Sequence, residues 1–386
     1  MNFFKKIYFA KFLFYLLTIP IRIFDFFFII NKKEILFFGY HGRYNGNAKV
    51  LYEYYIKSDS SLTPVWLLDE KDLDIFDKKS NKYHLLPTKN CGFWIHCQLL
   101  FKLFRAKVIV VTSVGDLHIY RLMLSKFRHV EILLPHGITL KSVGVMAKHL
   151  TEDRKKVWID VPKRFDLISV GSRIEKYLIS TGFSFPMHKI KILGPQRRDV
   201  LPKKLLMREK LYLKKVILSN TSITMNDDEI QNHEFIVYAP THRDHKDNYA
   251  DNELGTLLYN LEGFDIDMLD TFLYKNNILL FLREHMVAQL STNKEKIQHK
   301  MIHYLSPLDV PDIDSLIYGF DLLITDYSGI YLELLESDMS IAFMPYDLEE
   351  YETRRGLILP HDNLFAGHII SSQKESKYFI ESVETG

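Results

Sequence analysis

Two histidines follow apolar segments of this sequence, at places where a side chain could take part in proton transfer. His136 comes directly after "EILLP", and His285 comes directly after "ILLFLRE". A neutral imidazole at such a position can remove a proton from a hydroxyl near neutral pH, and Gly137 would let a substrate approach His136 closely. The alternative is a histidine that is satisfied within a loop, and each histidine taken alone favours that alternative. The pair together indicates acid-base chemistry.

The segment Leu322–Thr325 consists of strand-forming residues and leads directly into the polar turn Asp326–Gly329. This turn stands where a helix needs its N-cap, so the pattern predicts a strand followed at once by a helix. Such corners in open α/β sheets present free backbone amides and commonly bind phosphate. An ordinary capped turn that binds nothing is the alternative, and this segment alone favours it.

Three arginines, Arg197, Arg243 and Arg283, lie at or near predicted turns. The planar guanidinium group suits phosphate oxygens, although an isolated arginine near a loop is more often solvated. With the hydroxyls of Thr241 and Ser328, the arginines predict a cradle for a pyrophosphate that requires no metal ion. The histidines are scattered over separate elements, so we expect neither a metal site nor another cofactor.

These residues belong to two successive series of alternating strand-like and helix-like segments, which predicts parallel, doubly wound sheets. The strands are expected within residues 35–38, 63–70, 106–116, 131–139 and 165–173, and then within 234–241, 277–285, 301–306, 321–328 and 340–347. The carboxyl ends of parallel strands meet at one edge of a sheet, which gathers the polar residues there. In the Gly-rich loop after the first strand, Asn47 is expected to cap the following helix.

Length and composition set the broad class. A chain of 386 residues is long enough for two α/β domains, and its 50 basic and 48 acidic residues leave a net charge of +2. This balance gives no support for wholesale nucleic-acid binding, so we expect no nucleic-acid partner. The cysteines are Cys91 and Cys97, which excludes a disulfide scaffold and fits a reducing cytoplasm.

The N-terminal segment, residues 1–33, differs from the rest of the chain. It places lysines and Arg22 among many aromatic residues, with no acidic residue before Asp25. Pro20 and Arg22 interrupt the apolar run, which argues against a spanning helix and against a cleaved secretory signal. We expect a basic amphipathic segment that lies on an anionic membrane surface. A helix packed on the first domain is the alternative.

Six blocks of the sequence resemble, in order, those of the CDP-glycerol glycerophosphotransferase family, which includes teichoic acid primases and polymerases and related capsule polymerases. The blocks are "LLPHGITLKSVG" (133–144), "ILGPQRRD" (192–199), "VYAPTHRD" (237–244), "LLFLREH" (279–285), "LLITDYSGIYLELL" (322–335) and "MPYDLEEYETRRGL" (344–357). The resemblance covers about residues 34 to 370.

The resemblance implies a GT-B-like α/β fold, in which two Rossmann-like domains face a central cleft. The expected domains are an acceptor domain at residues 34–200 and a CDP-alditol-binding domain at residues 201–386. It also implies transfer of an alditol phosphate, glycerol phosphate or ribitol phosphate, from a CDP-alditol to an acceptor hydroxyl, with release of CMP. The family's base falls on His136 and its second catalytic histidine on His285. The family's motifs and the turns described above together give the expected donor contacts. These are Gly137, Ile138, Thr139, Leu140, Arg197, Pro240, Thr241, Arg243, Arg283, Asp326, Ser328, Gly329 and Glu333.

The sequence departs from the family's pattern around the expected donor pocket. Ile138 and Thr139 replace Thr-Pro, Met286 replaces the proline after the second histidine, Gly329 replaces a serine, and Glu333 stands where aspartate is usual. None of these changes removes a proposed proton-transfer group. They leave the identity of the alditol open.

The expected protein is therefore a phosphotransferase of teichoic acid or capsular polysaccharide synthesis, acting peripherally at the cytoplasmic face of the bacterial cell membrane. Its acceptor would be a lipid-linked glycan or a growing polymer. Two alternatives remain open at this point: a GT-B glycosyltransferase that consumes a nucleotide sugar, and a non-catalytic scaffold of a polymer-export complex.

Overall fold

The computed structural model describes most of the chain, namely residues 18–73, 76, 82–87, 92–135, 137, 140–160, 162–202, 204–241, 243, 263–283, 299–307, 309–310 and 312–375. By its internal contacts the chain divides into two units. The first unit comprises Met1–His136 and Lys156–Val200, and the second comprises Gly137–Lys155 and Leu201–Gly386.

The first unit is built on a parallel sheet of seven strands in the order β3-β2-β1-β4-β5-β6-β7. The strands are β1 (Asn31–Phe37), β2 (Thr63–Leu68), β3 (Tyr83–Leu85), β4 (Ala106–Val111), β5 (Val130–Leu133), β6 (Leu167–Val170) and β7 (Ile190–Ile192). The strand order reverses between β1 and β4. At this switch point the loops leaving the two strands diverge, which is where open α/β sheets bind ligands.

The second unit repeats this plan with six parallel strands in the order β10-β9-β8-β11-β12-β13. The strands are β8 (Glu234–Tyr238), β9 (Ile278–Leu282), β10 (Ile302–Tyr304), β11 (Leu322–Thr325), β12 (Ser340–Phe343) and β13 (His368–Ile369). Its switch point lies between β8 and β11. The central strands are buried almost throughout, because helices and loops cover both faces of such a sheet.

Helices connect the strands, and three of them begin at a residue whose side chain caps the helix N-terminus. The Ser172 hydroxyl accepts a hydrogen bond from the Glu175 amide, and the Asn226 and Asp265 side chains cap their helices in the same way. The helices with assigned bounds are α1 (Gly46–Lys57), α2 (Phe93–Arg105), α3 (His118–Leu122), α4 (Glu152–Asp160), α5 (Arg173–Phe183), α6 (Met207–Ser219), α7 (Asp227–Gln231), α8 (Ile266–Lys275) and α9 (Leu348–Arg354).

Each unit has its own apolar core. In the first unit, Phe37, Tyr52 and Trp66 are fully buried and pack as aromatic neighbours. In the second unit, Phe235 and Phe281 lie at the centre of a larger cluster that includes most of β8, β9 and β11. Burial of this apolar surface is the main contribution to the stability of both units.

The predicted parallel sheets are confirmed, and all ten predicted strands are present. The strands β3, β7 and β13 were not predicted, because each is short and lies at the edge of its sheet, where apolar patterning is weak. The helix at residues 46–57 begins with Gly46 and has Asn45 as its N-cap. The expectation that Asn47 caps this helix is therefore wrong, and its side chain is used elsewhere.

Part of the N-terminal segment packs on the first unit. Residues 18–25 are helical, and the buried Asp25 carboxylate accepts hydrogen bonds from Ser125 N and pairs with His129 Nε2 at 2.9 Å. The ring of Phe28 lies 4.8 Å from that of Phe104. Over the described part of the chain, no helix combines the length and the apolar character needed to cross a membrane.

Candidate active site

The switch point of the second sheet brings two predicted motifs together. Pro240 and Thr241 follow β8, and the turn Asp326–Gly329 follows the neighbouring strand β11. The Thr241 backbone amide donates a hydrogen bond to Asp326 Oδ1 at 2.8 Å, and Thr325 Oγ1 donates to the Ala239 carbonyl at 2.7 Å. These bonds hold the two strand ends side by side.

Arg243 organises this corner from within. Its fully buried guanidinium donates from Nε and Nη2 to the two carboxylate oxygens of Asp347, at 2.8 and 2.9 Å. Its Nη1 donates to Asp326 Oδ2 at 2.7 Å and to the Thr241 carbonyl at 2.6 Å. Because one side chain joins residues that follow β8, β11 and β12, the three strand ends form one connected polar network.

Tyrosine rings enclose the charged network. The Arg243 guanidinium carbon lies 5.1 Å from the ring centre of Tyr327 and 5.2 Å from that of Tyr351, and these two rings stack at 4.1 Å. Burial lowers the pKa of Arg243, but the carboxylates of Asp326 and Asp347 outweigh burial and hold it well above its ordinary value. Burial and the same carboxylates raise the pKa of Tyr327. Arg243 is therefore cationic, and Tyr327 neutral, across the physiological range.

The Thr241 hydroxyl differs from the charged side chains of this network. Thr241 is buried, and its Oγ1 has no hydrogen-bond partner among the described residues. A buried hydroxyl without a partner carries a desolvation penalty that a further polar group can relieve. Thr241 Oγ1 is thus a candidate for a direct hydrogen bond to a ligand at the end of β8.

The helix that follows β11 is shorter than the sequence pattern predicts. Ser328 is the N-cap of a five-residue 3-10 helix, Gly329–Glu333, and its Oγ accepts a hydrogen bond from Ile330 N at 3.4 Å. Turns follow this 3-10 helix before β12 starts at Ser340. The expected helix is therefore only one short 3-10 segment, since Tyr331 and Leu334 turn into the core within the connection. Glu333, at its end, is buried.

Arg283 lies at the carboxyl end of β9, beside β8. Its amide donates to the Tyr238 carbonyl at 2.8 Å, and its buried guanidinium donates from Nη2 to the Val310 carbonyl at 2.6 Å and from Nη1 to the Leu305 carbonyl at 3.3 Å. Arg283 therefore holds the loop after β10 against the end of β9 and brings a positive charge to the same sheet edge.

Residues from the block around position 137 belong to the second unit. Gly137 is half-buried, and Leu140 lies in the core of that unit. The Leu140 carbonyl accepts a hydrogen bond from Ile358 N at 2.9 Å, and the Ser142 amide donates to the Gly356 carbonyl at 2.9 Å. Through this short antiparallel pairing, residues 137–155 pack with residues 201–386 in the second unit.

Arg197 belongs to the first unit and is held through its backbone. It lies in the 3-10 helix Gln196–Asp199, and its amide donates to Asn47 Oδ1 at 3.0 Å. The pKa of Glu175 is raised by burial, although the Gly171 amide and the positive charge of Arg197 act in the opposite direction. The buried Arg197 side chain therefore lies within electrostatic reach of the Glu175 carboxylate.

The switch point of the first unit carries an acid that sequence reasoning missed. Asp116 Oδ2, in the loop after β4, accepts hydrogen bonds from Thr112 N, Thr112 Oγ1 and Ser113 N. Burial raises the pKa of Asp116 to about 6 despite these bonds. Burial, and after it the charge of Asp116, raise the pKa of Tyr40, in the loop after β1, to about 12.

Four of the expected site residues, His136, Ile138, Thr139 and His285, lie outside the described residues. Asp347 and Tyr327 were also missed as site residues, although Asp347 follows a predicted strand, which is the signal that singled out Asp326. Among the residues that the structure describes, no group of three or more histidine, cysteine or acidic side chains could hold a metal ion.

Two doubly wound α/β units, each with polar residues at its switch point, define the class of this protein. A family model described as CDP-Glycerol:Poly(glycerophosphate) glycerophosphotransferase matches residues 21–385. The chain therefore belongs to this family, whose members are transferases.

Two relatives are similar to this chain in sequence, and one solved structure is similar in fold. The teichoic acid glycerol-phosphate transferase of Staphylococcus aureus (strain NCTC 8325 / PS 47) is 24% identical over 352 residues, covering 89% of this chain and 82% of that protein. The teichoic acid poly(glycerol phosphate) polymerase of Bacillus spizizenii (strain ATCC 23059 / NRRL B-14472 / W23) is 25% identical over 356 residues, with the same coverage. The structure of the wall teichoic acid polymerase TagF superposes with a TM-score of 0.70 at 18% identity, covering 98% of this chain and 89% of that one.

Proposed function

We propose that this protein transfers an alditol phosphate from a CDP-alditol to a hydroxyl of a lipid-linked or polymeric acceptor, with release of CMP, in teichoic acid synthesis. The observation that carries the proposal is the match of the family model to residues 21–385. Because both relatives described above are named for glycerol phosphate, glycerol phosphate is the first choice of transferred group and ribitol phosphate the second.

The switch point of the second sheet is the proposed donor site. Thr241 Oγ1 and the backbone amides near Ser328 would meet the donor's phosphates. Arg243 does not need to touch the donor, since its guanidinium already binds Asp326, Asp347 and the Thr241 carbonyl. Its role is to hold the ends of β8, β11 and β12 together. Arg283 adds positive charge from β9.

The reaction is an in-line displacement at phosphorus. The acceptor hydroxyl oxygen forms a new bond to the β-phosphorus while the bond from that phosphorus to the CMP oxygen breaks. His136 takes the hydroxyl proton, and CMP leaves with the electron pair of the broken bond. Arg197, Arg283 and protonated His285 stabilise the negative charge that grows on the phosphoryl oxygens and on the departing phosphate. No redox cofactor is needed for this balance.

A donor panel tests the proposal. Purified protein is given CDP-glycerol, CDP-ribitol or a nucleotide sugar together with a membrane extract as acceptor source, and nucleotide release is measured. CMP released from one CDP-alditol supports the proposal and names the alditol. Consumption of the nucleotide sugar alone would favour a glycosyltransferase, and binding of CDP-glycerol without turnover would favour a scaffold.

A variant of the proposed base accompanies the panel. His136→Ala is expected to lower kcat by about two to four powers of ten, because general base catalysis contributes about that much. His188→Ala is the matched control, since His188 is an exposed histidine of the same unit. Equal activity in the two variants would remove His136 from the mechanism.

We also propose that the protein attaches peripherally to the cytoplasmic face of the membrane through its N-terminal segment. The support is a set of exposed apolar side chains on two neighbouring elements of the first unit. Phe27 and Ile29 are 77% and 89% exposed, and Phe93 and Trp94 at the start of α2 are 82% and 65% exposed. Ring contacts between Phe28 and Phe101 join the two elements. Aromatic side chains of this kind insert at the headgroup boundary.

Vesicle binding tests this surface. The triple variant Phe27→Ser, Phe93→Ser and Trp94→Ser is expected to reduce binding to anionic vesicles at least tenfold, because burying three large apolar side chains contributes several kcal/mol. The double variant Ile174→Ser and Tyr177→Ser provides the control, since both side chains are 59% exposed on α5. If the control reduced binding equally, or the first set changed nothing, the proposed surface would be wrong.

A further inference from the structure

Asn47 uses both ends of its side-chain amide to join two distant parts of the first unit. Its Nδ2 donates a hydrogen bond to the Pro135 carbonyl at 2.6 Å, and its Oδ1 accepts one from the Arg197 amide at 3.0 Å. Asn47 is 2% exposed, so water does not compete for either bond. The partners lie 88 and 150 residues away in the sequence.

The chemistry of the partners permits only one orientation of this amide. The Pro135 carbonyl can only accept, so the nitrogen of the amide must face it, and the Arg197 backbone N–H can only donate, so the oxygen must face that group. The Asn47 side chain does not cap α1, because Asn45 occupies the N-cap position. Its position in the first turn of α1 makes the link rigid.

Both partners adjoin the proposed chemistry. The Pro135 carbonyl belongs to the peptide group whose nitrogen is that of His136, so fixing this oxygen fixes the plane of the peptide that leads into the proposed base. Arg197 is a proposed phosphate-binding residue, and its backbone is held by the same amide. The two proposed groups therefore share one anchor.

We propose that Asn47 is a positioning residue that ties the peptide leading into the proposed base to the backbone of the proposed phosphate-binding arginine. This inference rests on the proposed function, because His136 and Arg197 have their roles there. Displacing a reacting group by about 1 Å can lower the rate about a hundredfold, which is the size of effect expected when the anchor is lost.

Three variants distinguish the loss of this positioning contact from a general loss of stability. Asn47→Ala removes both bonds and is expected to lower kcat about a hundredfold and to raise the KM for CDP-glycerol. Asn47→Asp keeps an oxygen for the Arg197 amide but turns a second oxygen toward the Pro135 carbonyl. It is expected to lower kcat at least tenfold at pH 8 with KM within about threefold of the wild type. Asn45→Ala, which removes a partly buried hydrogen bond from Tyr40 N, is the control and should leave kcat within about threefold.

The Asp variant also provides a test by pH. A protonated carboxyl can donate to the Pro135 carbonyl while its other oxygen accepts from Arg197 N, so the neutral acid imitates the amide. The ratio of variant kcat to wild-type kcat should therefore rise as the pH falls from 8.5 to 6. A purely structural role predicts a ratio that does not change with pH in this direction.

Hydrogen exchange keeps this inference distinguishable from the proposed function. In Asn47→Ala, peptides covering residues 130–135 and 192–200 should exchange faster than in Asn45→Ala, whether or not a transfer assay succeeds. If the wild type released no CMP from either CDP-alditol, the proposed function would fail while exchange still measured the anchor. Wild-type kcat in both Asn47 variants, or unchanged exchange, would overturn the inference.

Discussion

Removing the Asp347 carboxylate is expected to loosen the switch point of the second unit without disturbing the first. Asp347→Ala deletes two charge-assisted hydrogen bonds from Arg243 and one from the Tyr327 hydroxyl, at 2.8, 2.9 and 3.1 Å. Taken singly, hydrogen bonds to a charged group contribute about 1.5–3 kcal/mol each. Such values are not additive, and breaking one partner of a buried ion pair typically destabilises by about 3–5 kcal/mol. We expect a loss in this range, since Arg243 keeps Asp326.

The tryptophans make the assay selective. The chain has three, Trp66, Trp94 and Trp158, and all lie in the first unit. Urea unfolding followed by tryptophan fluorescence therefore reports the first unit, whereas hydrogen exchange of peptides covering residues 234–241 and 322–328 reports the strand ends that Arg243 joins. The variant should raise exchange in these peptides by about two to four powers of ten and leave the fluorescence midpoint unchanged.

A double-mutant cycle isolates the pair itself. Arg243→Met leaves both Asp326 and Asp347 buried without their cation, so it should destabilise at least as much as Asp347→Ala. The double variant is expected to lose about 2–3 kcal/mol less than the sum of the single losses. Additive losses, or less than about 1 kcal/mol for either single variant, would refute the view that Arg243 organises this corner.

Three further predictions concern single side chains. Thr241→Val removes a hydroxyl that has no partner among the described residues, so the free energy of unfolding should hardly change. The KM for CDP-glycerol should rise about fivefold to tenfold. An unchanged KM in steady-state assays would show that Thr241 does not bind the donor. Burial raises the pKa of Asp116 to about 6 from an ordinary value of 3.8. The contribution of its neutral form to stability is therefore present below pH 4 and is lost as the pH rises through 6. In thermal melts, Asp116→Asn should be up to about 3 kcal/mol more stable than the wild type at pH 8 and equally stable at pH 4. Gly39→Ala would place its Cβ 2.0 Å from the Arg43 carbonyl oxygen, so it should lower the free energy of unfolding of the first unit by more than about 2 kcal/mol, whereas Gly92→Ala, which meets nothing within 4 Å, should not.

The central strands could be predicted from the sequence because they are buried on both faces and read as apolar runs that end in polar turns. The same reasoning located Thr241, Arg283 and Asp326, since the carboxyl end of a parallel strand is a position that sequence order alone defines. It failed for β3, β7 and β13, whose short edge segments carry little pattern.

What could not be predicted depends on contacts between residues far apart in the chain. Arg243 and Asp347 are separated by 104 residues, and the sequence around neither residue predicts that they form an ion pair. Asn47 looks like an N-cap from its place after a Gly-rich loop, and only the fold reveals Pro135 and Arg197 as its partners. The helix expected after Ser328 is only a short 3-10 helix, because Tyr331 packs into the core and tertiary burial overrides local helix propensity.

The bond that is broken during turnover tests the central claim most directly. CDP-glycerol labelled with ¹⁴C in the glycerol and with ³²P in the β-phosphate is incubated with the protein and a lipid-linked acceptor, and both labels are counted in the acceptor and in the nucleotide. Alditol-phosphate transfer predicts that both labels move together to the acceptor in a one-to-one ratio, with unlabelled CMP as the other product. Recovery of ³²P in released CDP, with only ¹⁴C in the acceptor, would contradict it.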